Sequence, residues 1–370
     1  MSSAVAVAAL AVFFAVANAS VPQLDGIFVS ISANTSTWTI DEWTSDLQAM
    51  KAVGIKYFVL AHVAVGTSNT TDRCPTGTYE AWFPFPSDPC FTQIGDISAA
   101  GGTVGNIMQA AERVGLSVHL GLALTSLFRG GPSGDEYAWM YEVGAKAIAQ
   151  TQRAVAQQLW QLMNASTHIV GFYTVIEENN GKTYLLSMYT FATHFLEPLA
   201  QAIKGFRTDL VVWSSPYGAM NRTRYPATQW LPPSVYAAVW EAAFLWAPHF
   251  DHVAQQDSMG ALLNSYADVA DVLGNLSLAS TRQHRHLWSN VELFEVWPRS
   301  CAWPEPCHGR HPAPFARIEK QLQNEAAVLA PIGGSFIAWE WSSCLSPSGE
   351  NAWPSETRAN YAAYKAYLGL

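Results

Sequence analysis

A chain of 370 residues, 49% of them hydrophobic, is too long for one small sandwich and long enough to fill the core of a single α/β barrel with insertions. Its formal charge of −9 repels nucleic acid phosphates and anionic lipid, which leaves neutral polymers or small molecules as the expected partners. Only 13% of residues are charged against 15 Trp and 14 Tyr, and aromatic faces stack well on sugar rings.

Residues 1–19 read as a secretory signal peptide. The apolar run Ala4 to Ala17 leads to the small-residue site Ala17-Asn18-Ala19 before Ser20, although no basic residue precedes it. The run is shorter than the roughly 20 apolar residues of a membrane span. A secreted, extracellular or lumenal chain beginning at Ser20 is expected, with residues 20–370 as one domain. Asn34, Asn69, Asn164, Asn221 and Asn275 then become glycan acceptors, all placed in expected loops or element ends. In an oxidising compartment the economical cysteine pairs are Cys74 with Cys90 and Cys301 with Cys307, leaving Cys344 over or competing for a partner near 301–307.

From Gly26 onward, apolar strand-like runs alternate with helix-period segments. The expected strands are Gly26–Ile31, Tyr57–Val63, Ser117–Leu124, Ile169–Glu177, Leu210–Tyr217, His252–Ser258, His286–Phe294 and Gly334–Trp341. Between the first two, Trp43, Leu47, Met50 and Val53 recur at helical spacing, Thr39-x-x-Glu42 has the form of a capping box, and Gly54 ends the segment. Val104, Ile107, Met108 and Ala111 repeat the pattern before strand three, and Phe315, Ile318, Leu322 and Leu329 before strand eight. A last amphipathic stretch with Tyr361, Tyr364 and Leu368 is expected to pack on the wall. Eight such units predict a single (β/α)8 TIM barrel. The long segments after strands two, seven and eight carry Trp82, Trp297, Trp303 and Trp353, on the face where such barrels place their sites.

Strand alternation selects the candidate chemistry. Gly171, Tyr173, Val175 and Glu177 share one face of strand four, and His286, Trp288, Asn290 and Glu292 share one face of strand seven. Both acids are therefore expected at the barrel mouth, one as proton donor and one as nucleophile or base of glycosidic cleavage. Glu178 and Glu295 are expected to be solvated. On strand six Gln255 and Asp257 are taken to point inward, Asp257 either binding sugar hydroxyls, tuning a neighbouring carboxyl, or capping the turn before Gly260. Glu340, between Trp339 and Trp341, makes a further sugar-contact cluster, to which Tyr173, Asn290, Trp288, Trp82 and Trp297 are added as substrate contacts. No cofactor or metal is expected: Cys307-His-Gly-Arg-His311 looks metal-like, but a secreted Cys near Cys301 is more simply a disulfide. A carbohydrate-binding barrel without turnover, or a metal-dependent hydrolase, would be the alternatives.

Gly26-Ile-Phe, the run from Trp43 to Leu60, Gly171-Phe-Tyr through Glu177, Gln256-Asp-Ser-Met-Gly260 and Trp288-Ser-Asn-Val-Glu-Leu-Phe-Glu295 resemble, in this order, the barrel proteins grouped as domain of unknown function 4434. That resemblance implies a (β/α)8 glycoside hydrolase fold. Similarity to retaining barrel glycosidases implies acid/base chemistry at Glu177 and a nucleophile at Glu292; Ile176 stands where those enzymes usually place Asn.

Overall fold

The computed structural model describes residues 21–66, 74, 77–86, 88–98, 101–124, 142–163, 166–181, 184–221, 230–296, 309–348 and 353–370. Eight parallel strands close on themselves: β1 (Gly26–Val29), β2 (Tyr57–Leu60), β3 (Ser117–Gly121), β4 (Ile169–Tyr173), β5 (Val211–Ser214), β6 (His252–Gln256), β7 (His286–Glu292) and β8 (Ser335–Trp339), which returns to β1. Around them lie α1 (Ile40–Ala52), α2 (Gly102–Val114), α3 (Glu142–Met163), α4 (Tyr184–Phe191), α5 (Glu197–Phe206), α6 (Pro233–Trp246), α7 (Tyr266–Arg282), α8 (Phe315–Leu329) and α9 (Pro354–Tyr367).

All eight expected strands are present, and every one ends earlier than its apolar run. The backbone leaves the ladder at the barrel rim while the chain stays buried. Val175 and Ser258, just past β4 and β6, adopt left-handed φ values of 59° and 54° that no continuing strand allows. The first helix starts as its sequence dictates: the Thr39 hydroxyl accepts from Glu42 N–H, and the Glu42 carboxylate accepts from Thr39 N–H at 2.7 Å. The same reciprocal box, Ser265 with Asp268, opens α7. At the other end of the chain, Tyr364 of α9 is buried and its hydroxyl accepts from Leu24 N–H at 2.8 Å, tying the last helix to the entry of β1.

Inward-pointing rings fill the barrel in two linked layers. Trp288 packs against His252 (3.9 Å between centroids), Trp213 (5.4 Å), Tyr57 (5.5 Å) and His119 (5.7 Å). Trp213 continues to Tyr173 at 4.7 Å, and Phe28 lies 5.1 Å from Tyr173 and 4.9 Å from Trp339. This density requires Gly26, where a Cβ would stand 2.1 Å from the Tyr57 ring. Trp288 and Tyr173, expected as sugar contacts, thus belong to this packed interior.

Two additions decorate the rim. The chain after β2 contributes Ala64–Gly66, Tyr79–Ala81 and Phe91–Gln93 to a four-stranded sheet that Ala123–Leu124, just past β3, completes, and Phe294–Val296 pairs antiparallel with Arg310–Pro312 after β7. The expected bridge Cys74–Cys90 is present, and Cys344 is buried and unbridged. Cys301, Cys307, Trp297 and Trp303, the first 20 residues, Asn69 and Asn164 lie outside the described residues. Asn275 sits inside α7 rather than at an element end, its amide donating to the Asp271 carbonyl at 2.9 Å. Among the described residues no helix is long and apolar enough to cross a membrane. The bridge closes a loop of sequence separation 16, so replacing both its cysteines by Ser is expected to lower the unfolding free energy by about 3 kcal/mol in the closed-loop picture. Urea unfolding of the double variant measures this.

Candidate active site

β4 delivers Glu177 to the mouth, though not by strand alternation. The strand stops at Tyr173, and the left-handed turn at Val175 redirects the chain so that Glu177 remains partly exposed while Glu178 is fully buried. Glu177 Oε1 accepts from Gln256 Nε2 at 3.0 Å. Gln256 is the inward residue at the end of β6, its amide also donating to Ser215 O at 2.8 Å. The phase of β6 is therefore one residue off the expected one. His252 packs inside the barrel, so Ala254 and Gln256 follow it inward, whereas Gln255 turns outward and accepts from the Tyr236 hydroxyl of α6 at 3.0 Å. Polar residues on both faces of this strand hid the phase.

β7 keeps its expected phase over its whole length. Asn290 lies in register beside Gln256, and Glu292 follows two residues further up, opposite Trp339 of β8. Glu177 is thus bound to the Gln256 side chain, and Glu292 stands two residues beyond Asn290, the strand neighbour of Gln256. Glu292 is 4% exposed, and its Oε2 accepts from Ala261 N–H at 2.8 Å. The chain reaches that position only because residue 260 is glycine: a Cβ there would lie 2.3 Å from Phe294 O and 2.9 Å from Glu292 Oε2. Burial and the neighbouring Asp257 push the Glu292 carboxyl well above the usual carboxylate range, against the pull of the Ala261 N–H, Arg310 and Arg317.

Asp257 does not reach the mouth as a sugar contact. It is fully buried, and its carboxylate accepts from Gln321 Nε2 of α8, from Met259 N–H at 3.1 Å and from Glu292 N–H at 3.3 Å. The Met259 bond is the turn-capping contact before Gly260. Asn290 donates to Ser215 Oγ at 2.8 Å and leaves its buried Oδ1 without a partner. Glu340 caps the short helix Trp341–Cys344 by accepting from Ser343 N–H at 3.0 Å, with Oε2 buried and unpartnered. Trp339 is half-buried above Phe28. Trp82 is mostly buried in the rim sheet, 5.6 Å from the His62 ring. Among the described residues no group of His, Cys, Asp or Glu could hold a metal ion; Cys307 and His308 lie outside them.

Glu178 and Glu295, expected to be solvated, are both buried. Glu178 turns to the helix side of the sheet, where it accepts from Ser214 Oγ at 2.6 Å. Burial raises its carboxyl to about 8, partly opposed by the Ser214 hydroxyl and assisted by the charge of Glu177. A carboxyl whose folded pKa exceeds its unfolded value near 4.5 contributes stability that is present below that value and lost as the pH rises through about 8. The slope for one proton is at most about 1.4 kcal/mol per pH unit. Glu178→Gln is expected to flatten this loss, so that the variant gains stability over the parent chain between about pH 5 and about pH 9 in urea titrations.

The family described as Domain of unknown function (DUF4434) matches residues 24–348. No curated protein matches the chain. Among solved structures, a candidate alpha-L-fucosidase from Bacteroides thetaiotaomicron shares 16% identity at a TM-score of 0.66, covering 94% of this chain and 95% of that one. A beta-glucosidase from Thermotoga maritima, in complex with deoxynojirimycin, shares 8% identity at 0.52, over 94% and 98%. At such identities the likeness is one of fold, the closed parallel barrel that this chain shares with glycoside hydrolases. A match spanning nearly the whole barrel, from the entry of β1 to the short helix after β8, places the chain in the DUF4434 family.

Proposed function

We propose that this protein is a secreted glycoside hydrolase that cleaves O-glycosidic bonds of an oligo- or polysaccharide by a retaining double displacement. One observation carries the reading: Glu177, just past β4 and bonded to Gln256 of β6, and Glu292, the last residue of β7, stand on the same rim of a barrel whose fold glycosidases share. Glycosidic cleavage requires a pair of acids on the two sides of the scissile bond, about 5 to 5.5 Å apart when one of them attacks the sugar directly. Glu177, partly exposed and held by Gln256, protonates the departing oxygen. Glu292, fixed by the Ala261 N–H, attacks the anomeric carbon, and Glu177 then takes a proton from the water that hydrolyses the glycosyl-enzyme. The half-buried Trp339, beside Glu292 in register, offers a ring face to the sugar, with Glu340 next to it.

Glu292→Ala is expected to abolish turnover on an aryl-glycoside panel, with azide restoring part of it from the vacated space. Glu177→Gln should lose about 10²- to 10⁴-fold on substrates with poor leaving groups and far less on activated ones. Unchanged rates in both variants would reject the assignment; saccharide binding by the parent protein without turnover would indicate a non-catalytic barrel, and turnover sensitive to chelator a metal-dependent hydrolase.

The electrostatics of Glu292 add a second test. A nucleophile must be ionised, and this carboxyl holds its proton into a higher pH range than usual. In the free enzyme kcat/KM is therefore expected to rise through neutral pH as Glu292 ionises, an acid limb displaced upward from the ordinary carboxylate range. A kcat/KM that instead falls over that interval would exchange the two roles, making Glu292 the proton donor.

A further inference from the structure

α8 carries Arg317, Gln321 and Glu325 at successive four-residue steps, a spacing that lines their side chains along one face of the helix. That face meets the outer side of β7. Arg317 Nη2 donates to Glu292 O at 2.9 Å, Gln321 Nε2 donates to Asp257 Oδ2 and to Glu292 O at 3.3 Å, and Glu325 Oε2 bonds Ser289 Oγ. Three elements thus converge on the few residues that end in Glu292.

The two carboxyls in this layer are both buried and differ in the donors that reach them. Burial pushes the Asp257 carboxyl up, but it receives N–H bonds from Met259, Glu292 and Gln321 and feels the Arg317 guanidinium, all of which favour its ionised form. Glu325 Oε1 is buried, and no donor reaches it. A buried carboxylate oxygen left without a donor is costly, whereas the same oxygen bearing a proton becomes a donor itself. The Asp257 carboxylate lies within hydrogen-bond reach of the Glu325 carboxyl and offers it an acceptor. We infer that Glu325 is a neutral carboxylic acid hydrogen-bonded to ionised Asp257, and that this one-proton pair is the positioning group that holds the end of β7 and fixes the charge behind Glu292.

The pairing accounts for several observations together. It satisfies the orphaned oxygen, it leaves a single negative charge in a layer closed to water, and it agrees with the upward push on Glu325 from burial and from Asp257. The charged and titratable groups around the pair and Glu292 are Arg317 on α8, Arg310 on the rim hairpin and Tyr266 at the start of α7. The protonation pattern is independent of what the barrel mouth binds. Its positioning role for a catalytic carboxyl rests on the proposed glycosidase reading.

Carbon-13 NMR of the full chain, labelled at the Glu and Asp carboxyl carbons, reads the pattern without any substrate; Glu325→Gln, Asp257→Asn and Glu292→Gln assign the three signals. Glu325 should hold its carboxylic-acid shift through neutral pH while Asp257 shows a carboxylate shift. Asp257→Asn should lower the Glu292 titration midpoint by about one unit or more, and Glu325→Gln, a neutral isostere, should move it by only a few tenths. A carboxylate shift for Glu325 at neutral pH, or an equal displacement of Glu292 in both variants, would overturn the inference. Should Asp257→Asn fail to fold, the parent-chain signals, assigned through Glu325→Gln, still decide it. Loss of the NMR pattern with glycosidase turnover intact would discard the pair and keep the function; the pattern retained without turnover would do the reverse.

Discussion

Closure of the strand ladder is the constraint from which the remaining architecture follows. Once β8 returns to β1, every second residue of eight strands is aimed at one narrow axis. The chain fills it with rings, Trp213 linking the lower set around Trp288 to the upper set around Phe28 and Tyr173. A filled interior leaves only the rim for polar chemistry, and there Gln256, Asn290 and Glu292 emerge above the packed aromatics. The outward residues of the same strands face helices, so a polar outward residue needs a helix-side partner. Gln255 finds Tyr236, Ser214 finds Glu178 and Ser289 finds Glu325.

The fold was legible because both of its periodicities are regular. Eight apolar runs at even intervals, helical spacing between them and explicit caps such as Thr39 with Glu42 all indicate one closed barrel. Strand ends were less legible, since a run of apolar residues does not reveal where the backbone turns. Ile169 to Glu177 reads as one strand, yet Val175 breaks it, and Glu177 reaches the rim through that break rather than through the pleat.

The candidate site was legible where one face of a strand is plainly polar. On β7 the polar face is the inner one, and Glu292 follows. On β6 the segment His252-Val-Ala-Gln-Gln-Asp carries polar groups on both faces, and only contact with Trp213 and Trp288 reveals that His252 is inside. Nothing local could disclose the roles of Arg317, Gln321 and Glu325, because their partners lie 23 to 64 residues away in sequence. Glu178 reads as solvated because a Glu at a strand end ordinarily meets water, whereas the fold buries it with the Ser214 hydroxyl as a donor from the neighbouring strand.

The hydrogen bond between Trp213 and His119 fixes more than packing. An indole N–H only donates, so at 3.0 Å from His119 Nδ1 it requires that nitrogen to be the acceptor, which leaves the ring proton on Nε2. Burial lowers the pKa of this ring to about 3, so the single tautomer persists across the physiological range. His252, buried between Trp213 and Trp288 and likewise pushed down, also stays uncharged. These two imidazoles therefore add no charge beneath the mouth, and the charges acting on Glu292 are those of Asp257, Arg310 and Arg317.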